Sequence, residues 1–320
     1  MNKNPFSFYD FLGYLFPGII FLTLLVFAVT LAKENAPIGE YFHINKFVSV
    51  FQEKQGLKWW ETTIITIILA YVTGHLISYL SSVIVEYLAN ALFGYPSYYL
   101  LHKVQISFTG LCQRYFIPSL LGRDFRGDLA CISNRDLSSF KRIIKTYLSR
   151  MNVGRFIWRI FIFALMTPIS IPLLLFGKCL KLTEFIARPL DGYVRNSIQQ
   201  KLFQLSKTLN LAIPDVNSNA DYHRIVMHYV YLNIPNCQRK ADNYVAIYGF
   251  LRAMTLIACF YFDYLFILQL GTLDIQTDIN WYAIKVLLAM GILCNVLFMG
   301  FVKFYRRFTL ENYMALLTEK

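Results

Sequence analysis

Five long apolar runs, separated by polar connections, dominate the pattern of the chain. Four of them reach the ~18–20 residues that a helix needs to cross a bilayer without a break, and the fifth contains two prolines. A helix in a soluble core is apolar on one stripe only, so runs of this length predict membrane helices. Hydrophobic residues are 56% and charged residues 16% of the 320, which agrees with that class. The runs are residues 11–32, 59–91, 153–177, 244–270 and 281–302.

The distribution of charge indicates how many of these runs cross the membrane. The net charge is +12; residues 94–244 contain 20 of the 31 Lys and Arg but 8 of the 19 Asp and Glu, and the rest of the chain balances at 11 of each. Cytoplasmic loops carry an excess of Lys and Arg. If all five runs cross, one of two basic connections lies outside. If 153–177 does not cross, every connection obeys the rule.

Residues 153–177 therefore differ from the other runs. Pro168 and Pro172 break them, and Arg155 and Arg159 lie near one end. We predict that this segment is re-entrant or interfacial, which requires its backbone to be buried in protein or to line water. The predicted fold class is an all-α integral membrane protein with four transmembrane helices, one Pro-broken segment and a helical, basic cytoplasmic region. Both termini are expected in the cytoplasm.

These assignments divide the chain into four regions. An N-terminal membrane hairpin covers residues 1–93, with helices at about 11–32 and 59–91. A basic cytoplasmic region follows over 94–243 and includes the membrane-associated segment 153–177. A C-terminal membrane hairpin covers 244–303, and a basic cytoplasmic tail covers 304–320.

The second run carries small or short residues at every fourth position. Ala70, Gly74, Ser78 and Ser82 follow one another at this spacing, which allows two helix backbones to approach closely. This pattern predicts a helix-packing interface, either within the chain or between copies in a homo-oligomer.

Ionisable and amide side chains inside apolar runs are costly unless they are paired or hydrated. His75 and Glu86 are eleven residues apart, close to three helical turns, so we expect them to point the same way and to form either a proton path or ordinary structural contacts. Arg252 and Asp263 repeat the spacing. Matching depths predict two ion pairs, Glu86–Arg252 and Asp263–Lys285. The candidate residues of an ion path are His75, Glu86, Arg252, Asp263, Lys285 and Asn295.

The basic region is expected to face anionic lipid, because its excess charge arises from few acids and not from unusually many bases. Membrane lipids are thus the predicted partner, and nucleic acid is not. The glycine-rich turn at 122–128 is either a phosphate cradle or a plain loop. The candidate residues for a lipid headgroup or phosphate are Arg123, Arg126, Lys141, Arg142, Lys145, Arg155 and Arg159.

Neither the cysteines nor the histidines follow a recognised metal or catalytic spacing. The six cysteines (112, 131, 179, 237, 259 and 294) form no CxxC pair, so we expect reduced thiols. His223, His228 and Cys237 do not match a zinc pattern, and no metal or cofactor is predicted. An enzyme is disfavoured; the enzymatic alternative acts on a lipid or phosphate substrate through Arg123, Arg126 and His228.

Two short stretches, FYDFLGYLFPG at 8–18 and TGHLISYLSS at 73–82, resemble a loose group of uncharacterised bacterial multi-pass membrane proteins. Some of these are similar to membrane effectors encoded in phage-defence loci. The resemblance implies a role in altering the inner membrane after a cytoplasmic sensor signals.

The sequence thus predicts a non-enzymatic protein of the bacterial inner membrane. The expected function is an oligomeric channel-like or membrane-perturbing effector, or a scaffold for a cytoplasmic protein partner. The alternatives are the membrane enzyme and an ion- or proton-coupled transport subunit that uses His75 and Glu86.

Overall fold

A computed structural model of the chain describes residues 10–34, 59–101, 153–176, 188–209, 223–234, 238–271 and 281–318. All secondary structure in these ranges is helical. In chain order, the α-helices are α1 (Phe16–Glu34), α2 (Trp59–Ser81), α3 (Tyr87–Phe93), α4 (Pro96–Leu101), α5 (Val153–Leu165), α6 (Thr167–Phe176), α7 (Gly192–Thr208), α8 (His223–Asn233), α9 (Gln238–Gly271) and α10 (Trp281–Thr318).

Two short π-helical segments interrupt this pattern. The first π-turn, Phe11–Leu15, leads directly into α1, and the second π-turn, Ser82–Glu86, joins α2 to α3. Pro17 lies in the first turn of α1 and has no N–H to donate to the preceding turn, which explains why a wider turn comes before it. The irregular turn therefore lies one turn before Pro17.

Four helices are long and apolar enough to cross a membrane. Their candidate spans are Phe11–Ala28, Thr63–Phe93, Arg239–Gln269 and Trp281–Thr318. An all-helical chain with four candidate spans is therefore confirmed among the described residues. The α3 end of the second span closes at Gly94, whose φ of 82° is the left-handed conformation that favours glycine.

The fifth run forms a bent pair of helices, α5 and α6, which we call the elbow (residues 153–176). Their axes differ by 84° at a break of one residue, and Pro172 lies inside α6. Apolar side chains that are buried within the protein hold the bend: Ile162, Met166, Ile169 and Leu173.

Helices α9 and α10 are longer than the sequence predicted. They contain 34 and 38 residues, which makes them about 51 and 57 Å long at 1.5 Å per residue. Helix α9 starts at Gln238 and not near 244. Helix α10 continues to Thr318 through the residues that the sequence predicted as a separate tail. Charged residues near 303–307 marked the end of the apolar run, but they do not end the helix.

The chain divides into two compact units. The first contains Met1–Glu86 together with Val226–Lys320, and the second contains Tyr87–Ile225. In the first unit, α9 packs along α10, and α2 packs against both α1 and α9. In the second unit, the backbone N–H of Leu190 donates to the carbonyl of Leu100 over 2.9 Å, which ties the start of the α7 segment to α4.

Candidate functional site

The first two candidate membrane helices meet through their backbones. A Cβ atom added at Gly18 of α1 would overlap the carbonyl oxygen of Ala70 on α2, and one added at Gly74 would overlap the carbonyl oxygen of Tyr14. Ala70 is fully buried. The predicted small-residue face is therefore occupied within the chain at Ala70 and Gly74. Only glycine leaves room at Gly74 and at Gly18, which lies opposite Ala70.

The serines of the same ladder have different neighbours. The backbone carbonyl of Ser78 accepts from the Ser81 hydroxyl over 2.8 Å and from Arg252 Nη2 over 3.4 Å. The Ser82 hydroxyl donates to the carbonyl of Tyr79 over 2.7 Å. Ser81, which the four-residue ladder does not include, is the serine whose side chain is fully buried.

The second π-turn determines which way Glu86 points. Residues five apart lie about 140° away from each other around an α-helix, whereas a π-helix bonds residue i to i+5 and brings them together. Ser81 and Glu86 are five apart; Ser81 comes directly before this turn, and Glu86 is its last residue. The turn accordingly places the Ser81 hydroxyl and the Glu86 carboxylate on the same guanidinium.

That guanidinium belongs to Arg252 of α9, and it is the centre of a polar network joining three helices. Arg252 Nη1 forms an ion pair with Glu86 Oε2, and Arg252 Nε donates to Ser81 Oγ over 3.1 Å. The Tyr305 hydroxyl of α10 donates to Glu86 Oε1 over 3.4 Å. The predicted Glu86–Arg252 pair is present, and its side chains are 27% and 13% exposed, respectively.

This network satisfies most of the hydrogen-bonding capacity of Arg252. A guanidinium has five N–H donors and stays protonated in proteins, so it holds a permanent charge that Glu86 neutralises. Both carboxylate oxygens of Glu86 are engaged, by Arg252 and by Tyr305. The arrangement fixes α2, α9 and α10 against one another and has the character of a structural clamp. We call these residues (Ser78, Ser81, Glu86, Arg252 and Tyr305) the arginine clamp.

His75 has no contact with the arginine clamp among the described residues, although its spacing predicted that it points the same way as Glu86. Its ring stacks on Tyr14 with centroids 3.8 Å apart and meets the edge of Tyr71 at 4.5 Å. No hydrogen bond joins His75 to another residue in the part of the chain that the structure describes. The expectation assumed an unbroken α-helix between His75 and Glu86, and the second π-turn changes the rotation between them.

The second predicted ion pair, Asp263–Lys285, is not formed in the described part of the chain. Asp263 is half-buried on α9 and Lys285 is exposed on α10, and no salt bridge joins them among the described residues. Matching depth is not sufficient, because the two side chains must also face each other. Asn295 donates to the carbonyl of Gly291 one turn earlier over 2.8 Å. Between α1 and α9 there is a contact that the sequence did not suggest: the Tyr264 hydroxyl donates to the carbonyl of Ala28 over 2.6 Å.

The predicted headgroup residues are mostly beyond what the structure describes. Arg159 lies over the ring of Tyr87, with its guanidinium carbon 5.5 Å from the ring centroid, and Arg155 belongs to α5. Outside the described residues lie Arg123, Arg126, Lys141, Arg142 and Lys145.

The histidines and cysteines considered for metal binding do not form a recognisable site. Within the described ranges, no group of three His, Cys, Asp or Glu side chains could hold an ion. His223 and His228 are on α8, and Cys237 is outside the described residues. Cys259 and Cys294 are buried, free thiols, whereas cysteines 112, 131 and 179 are not described.

No known protein family, curated protein or solved structure matches this chain. Its class follows from the fold alone: over the residues that the structure describes, the protein is all-helical with four candidate membrane helices, three of them joined by the arginine clamp. Sequence reasoning missed Ser81, Tyr305 and Tyr14 of the residues around this site. Ser81 was missed because a π-turn has no local sequence signal. Tyr305 and Tyr14 were missed because their partners are distant in the chain.

Proposed function

We propose that the chain is a non-enzymatic, multi-pass protein of the bacterial inner membrane that perturbs the bilayer, with the elbow inserted into a single leaflet. It acts as an oligomeric, channel-like or membrane-perturbing effector, and its cytoplasmic region can also serve as a scaffold for a protein partner. The observation that carries the proposal is the geometry of the elbow.

The reach of the elbow supports a segment that enters and leaves the membrane on one side. Its arms have 13 and 10 residues, or about 20 and 15 Å at 1.5 Å per residue. With a bend of 84°, their far ends are about 26 Å apart. The hydrocarbon core is about 30 Å thick, so this distance is shorter than the core even when it lies along the membrane normal.

The surface of the elbow also suits a lipid environment. Large apolar side chains are exposed along both arms: Ile157, Trp158, Ile160, Phe161, Ile171, Leu175 and Phe176. The bend keeps its polar groups bonded, since Met166 N–H donates to Ile162 and Ser170 N–H to Met166. The Ser170 hydroxyl donates to the carbonyl of Phe163 over 3.4 Å. Pro168, two residues before Ser170, has no backbone N–H to donate.

The sequence charge supports an orientation. With the elbow in one leaflet, residues 94–244 and both termini share one side, and that side carries the excess of Lys and Arg. The positive-inside rule makes this side the cytoplasm. A role in antiviral defence rests on the resemblance of the two short stretches at 8–18 and 73–82.

A leaflet-inserted wedge expands one monolayer against the other, which is the physical basis of the proposed perturbation. The test uses the full chain reconstituted into vesicles of phosphatidylethanolamine and phosphatidylglycerol that contain a self-quenching dye. We expect dye release that grows with protein density, and a severalfold loss of release in the double variant Ile157→Gln, Phe161→Gln.

The matched control is Leu232→Gln, which changes an equally large and highly exposed apolar residue of α8 outside the elbow. It should release dye like the unchanged protein. Release that is equal for the elbow variant and the control, or intact vesicles at every protein density, would contradict the proposal. In cells, a potential-sensitive dye should report loss of membrane potential on induction.

A further inference from the structure

We infer that the exposed face of α2 around His75 binds the same face of a second copy of this chain. We call this face the seam; it consists of Ile68, Val72, His75 and Tyr79. This inference rests on the proposed oligomer and names the surface through which it forms.

His75 lacks a hydrogen-bond partner among the described residues at a depth where it needs one. It is exposed and lies near the middle of the candidate span Thr63–Phe93. Its contacts are the two tyrosine rings, and no hydrogen bond to it is present in the described part of the chain. Hydrocarbon offers neither a donor nor an acceptor, so an imidazole left facing lipid is unfavourable.

One imidazole can form a hydrogen bond with a second imidazole. The neutral ring has one N–H donor and one acceptor nitrogen. A twofold axis brings the same residue of two parallel copies to the same depth, so two His75 rings at that axis can hydrogen-bond to each other. Stacking on Tyr14 holds each ring in place, which lowers the entropy lost when the bond forms.

The spacing of the seam residues is typical of a helix that packs against a second helix. These residues are separated by four, three and four positions, which is the heptad pattern of helices that pack at a small left-handed crossing angle. Val72 is 51% and Tyr79 68% exposed, so the face is open along its length. A single polar residue within such a pattern fixes register and the number of chains.

The alternative face of α2 is already filled. Ala70 and Gly74, which carry the small-residue pattern, contact Gly18 and Tyr14 of the same chain. A second copy therefore cannot use that face without displacing α1. The seam is on a different side of the helix, and the structure assigns the two patterns to different tasks: the glycine face packs within the chain, and the seam packs between chains.

Cross-linking tests this directly. In a full chain whose native cysteines are replaced by alanine, single cysteines are introduced by Val72→Cys or Tyr79→Cys, and inner-membrane vesicles are oxidised. We expect a covalent dimer at both positions. The matched controls are Ile292→Cys and Val296→Cys, which are similarly exposed on α10 and should give little dimer.

Variants of His75 separate hydrogen bonding from shape. His75→Leu should weaken association about three- to thirtyfold, the range for an interhelical polar contact in membranes. His75→Asn keeps a donor and an acceptor and should restore most of the dimer. Cross-linking at Tyr79→Cys, with and without these changes, reads the effect without relying on one variant to fold.

The outcomes are distinguishable from those of the proposed function. Equal or stronger dimer formation at 292 and 296 overturns the seam. A monomeric mass in native membranes overturns it as well, although such a monomer that still releases dye would leave the membrane perturbation standing. A dimer at 72 and 79 that depends on His75 but releases no dye supports the seam and overturns the proposed function alone.

Discussion

Helices α1 and α2 meet backbone to backbone, whereas α9 and α10 meet through large side chains. In the first hairpin, Gly18 and Gly74 face carbonyl groups so closely that a Cβ atom does not fit. In the second, Tyr248 of α9 lies against Phe301, Tyr305 and Phe308 of α10, with ring centroids 5.3–6.4 Å apart. Both hairpins come from long apolar runs.

From this difference we expect the α9–α10 hairpin to tolerate small substitutions at its contact and the α1–α2 hairpin not to tolerate them. Side chains can change rotamer to absorb a small misfit, but a backbone carbonyl cannot move without moving its helix. Gly300 of α10 illustrates this, since an added Cβ would come within 3.3 Å of a terminal methyl of Leu251. Contacts between the hairpins combine aromatic rings, such as Phe16 and Phe250, with the polar groups of the arginine clamp, and the polar contacts form a third kind of packing.

The largest effect is expected for Gly74→Ala in the first hairpin. The added methyl must push α1 and α2 apart, so we expect a loss above the ~1–3 kcal/mol usual for overpacking. Unfolding in mixed detergent micelles measures it. Gly249→Ala is the matched control, because nothing lies within 4 Å of its added Cβ. A loss at Gly74 no greater than at Gly249 would remove the contrast between the hairpins.

The next effect is expected at the arginine clamp between the hairpins. Arg252→Met leaves Glu86 charged and unpaired, and should destabilise the protein by about 3 kcal/mol, the lower end for a buried pair because Glu86 is partly exposed. Adding Glu86→Gln should restore much of this loss, since no charge then remains. The same micelle assay reads both variants. Additive losses in the double variant would show that the two residues do not interact.

A smaller effect is expected for Tyr264→Phe, which removes the hydroxyl bonded to the carbonyl of Ala28. Hydrogen bonds between membrane helices contribute about 0.6 kcal/mol on average, so we expect a loss of about that size. Tyr193→Phe, at a highly exposed tyrosine of α7, is the comparison. If the two changes are equivalent, the α1–α9 contact does not contribute to stability.

The smallest effect is expected for Lys240→Ala in the second hairpin. Lys240 Nζ is 2.8 Å from Glu311 Oε1, but the lysine side chain is 61% exposed. Solvent screens such pairs, so we expect a loss of at most about 0.5 kcal/mol, reduced further by salt. Melting temperatures at low and high salt measure it. A loss comparable to that of Arg252→Met would mean that polar contacts do not differ with burial.

The sequence predicted those parts of the fold that depend on hydrophobicity. The length of the apolar runs predicted the candidate membrane helices. The high cost of an isolated charge in hydrocarbon predicted the Glu86–Arg252 pair. The ends of α9 and α10 were missed because the apolar runs stop near 244 and 302, while the helices continue in polar sequence to Gln238 and Thr318.

Direction was harder to predict than position. Asp263 and Lys285 were matched by depth alone, and their side chains do not meet. His75 and Glu86 were matched by an ideal helical repeat, which the second π-turn breaks. Each error concerns rotation about a helix axis, to which hydropathy is insensitive because these helices are apolar on most sides.

The length of α9 and α10 has a mechanical consequence in the proposed membrane arrangement. A helix of about 57 Å that uses about 30 Å to cross the hydrocarbon leaves about 27 Å outside it. Because α9 and α10 are paired by Lys240 and Glu311 near their polar ends, this extension is a stiff lever. A tilt of about 10° within the bilayer would move its tip by about 5 Å. Small rearrangements among the proposed membrane helices would thus cause a larger displacement of this tip, where a cytoplasmic protein can bind.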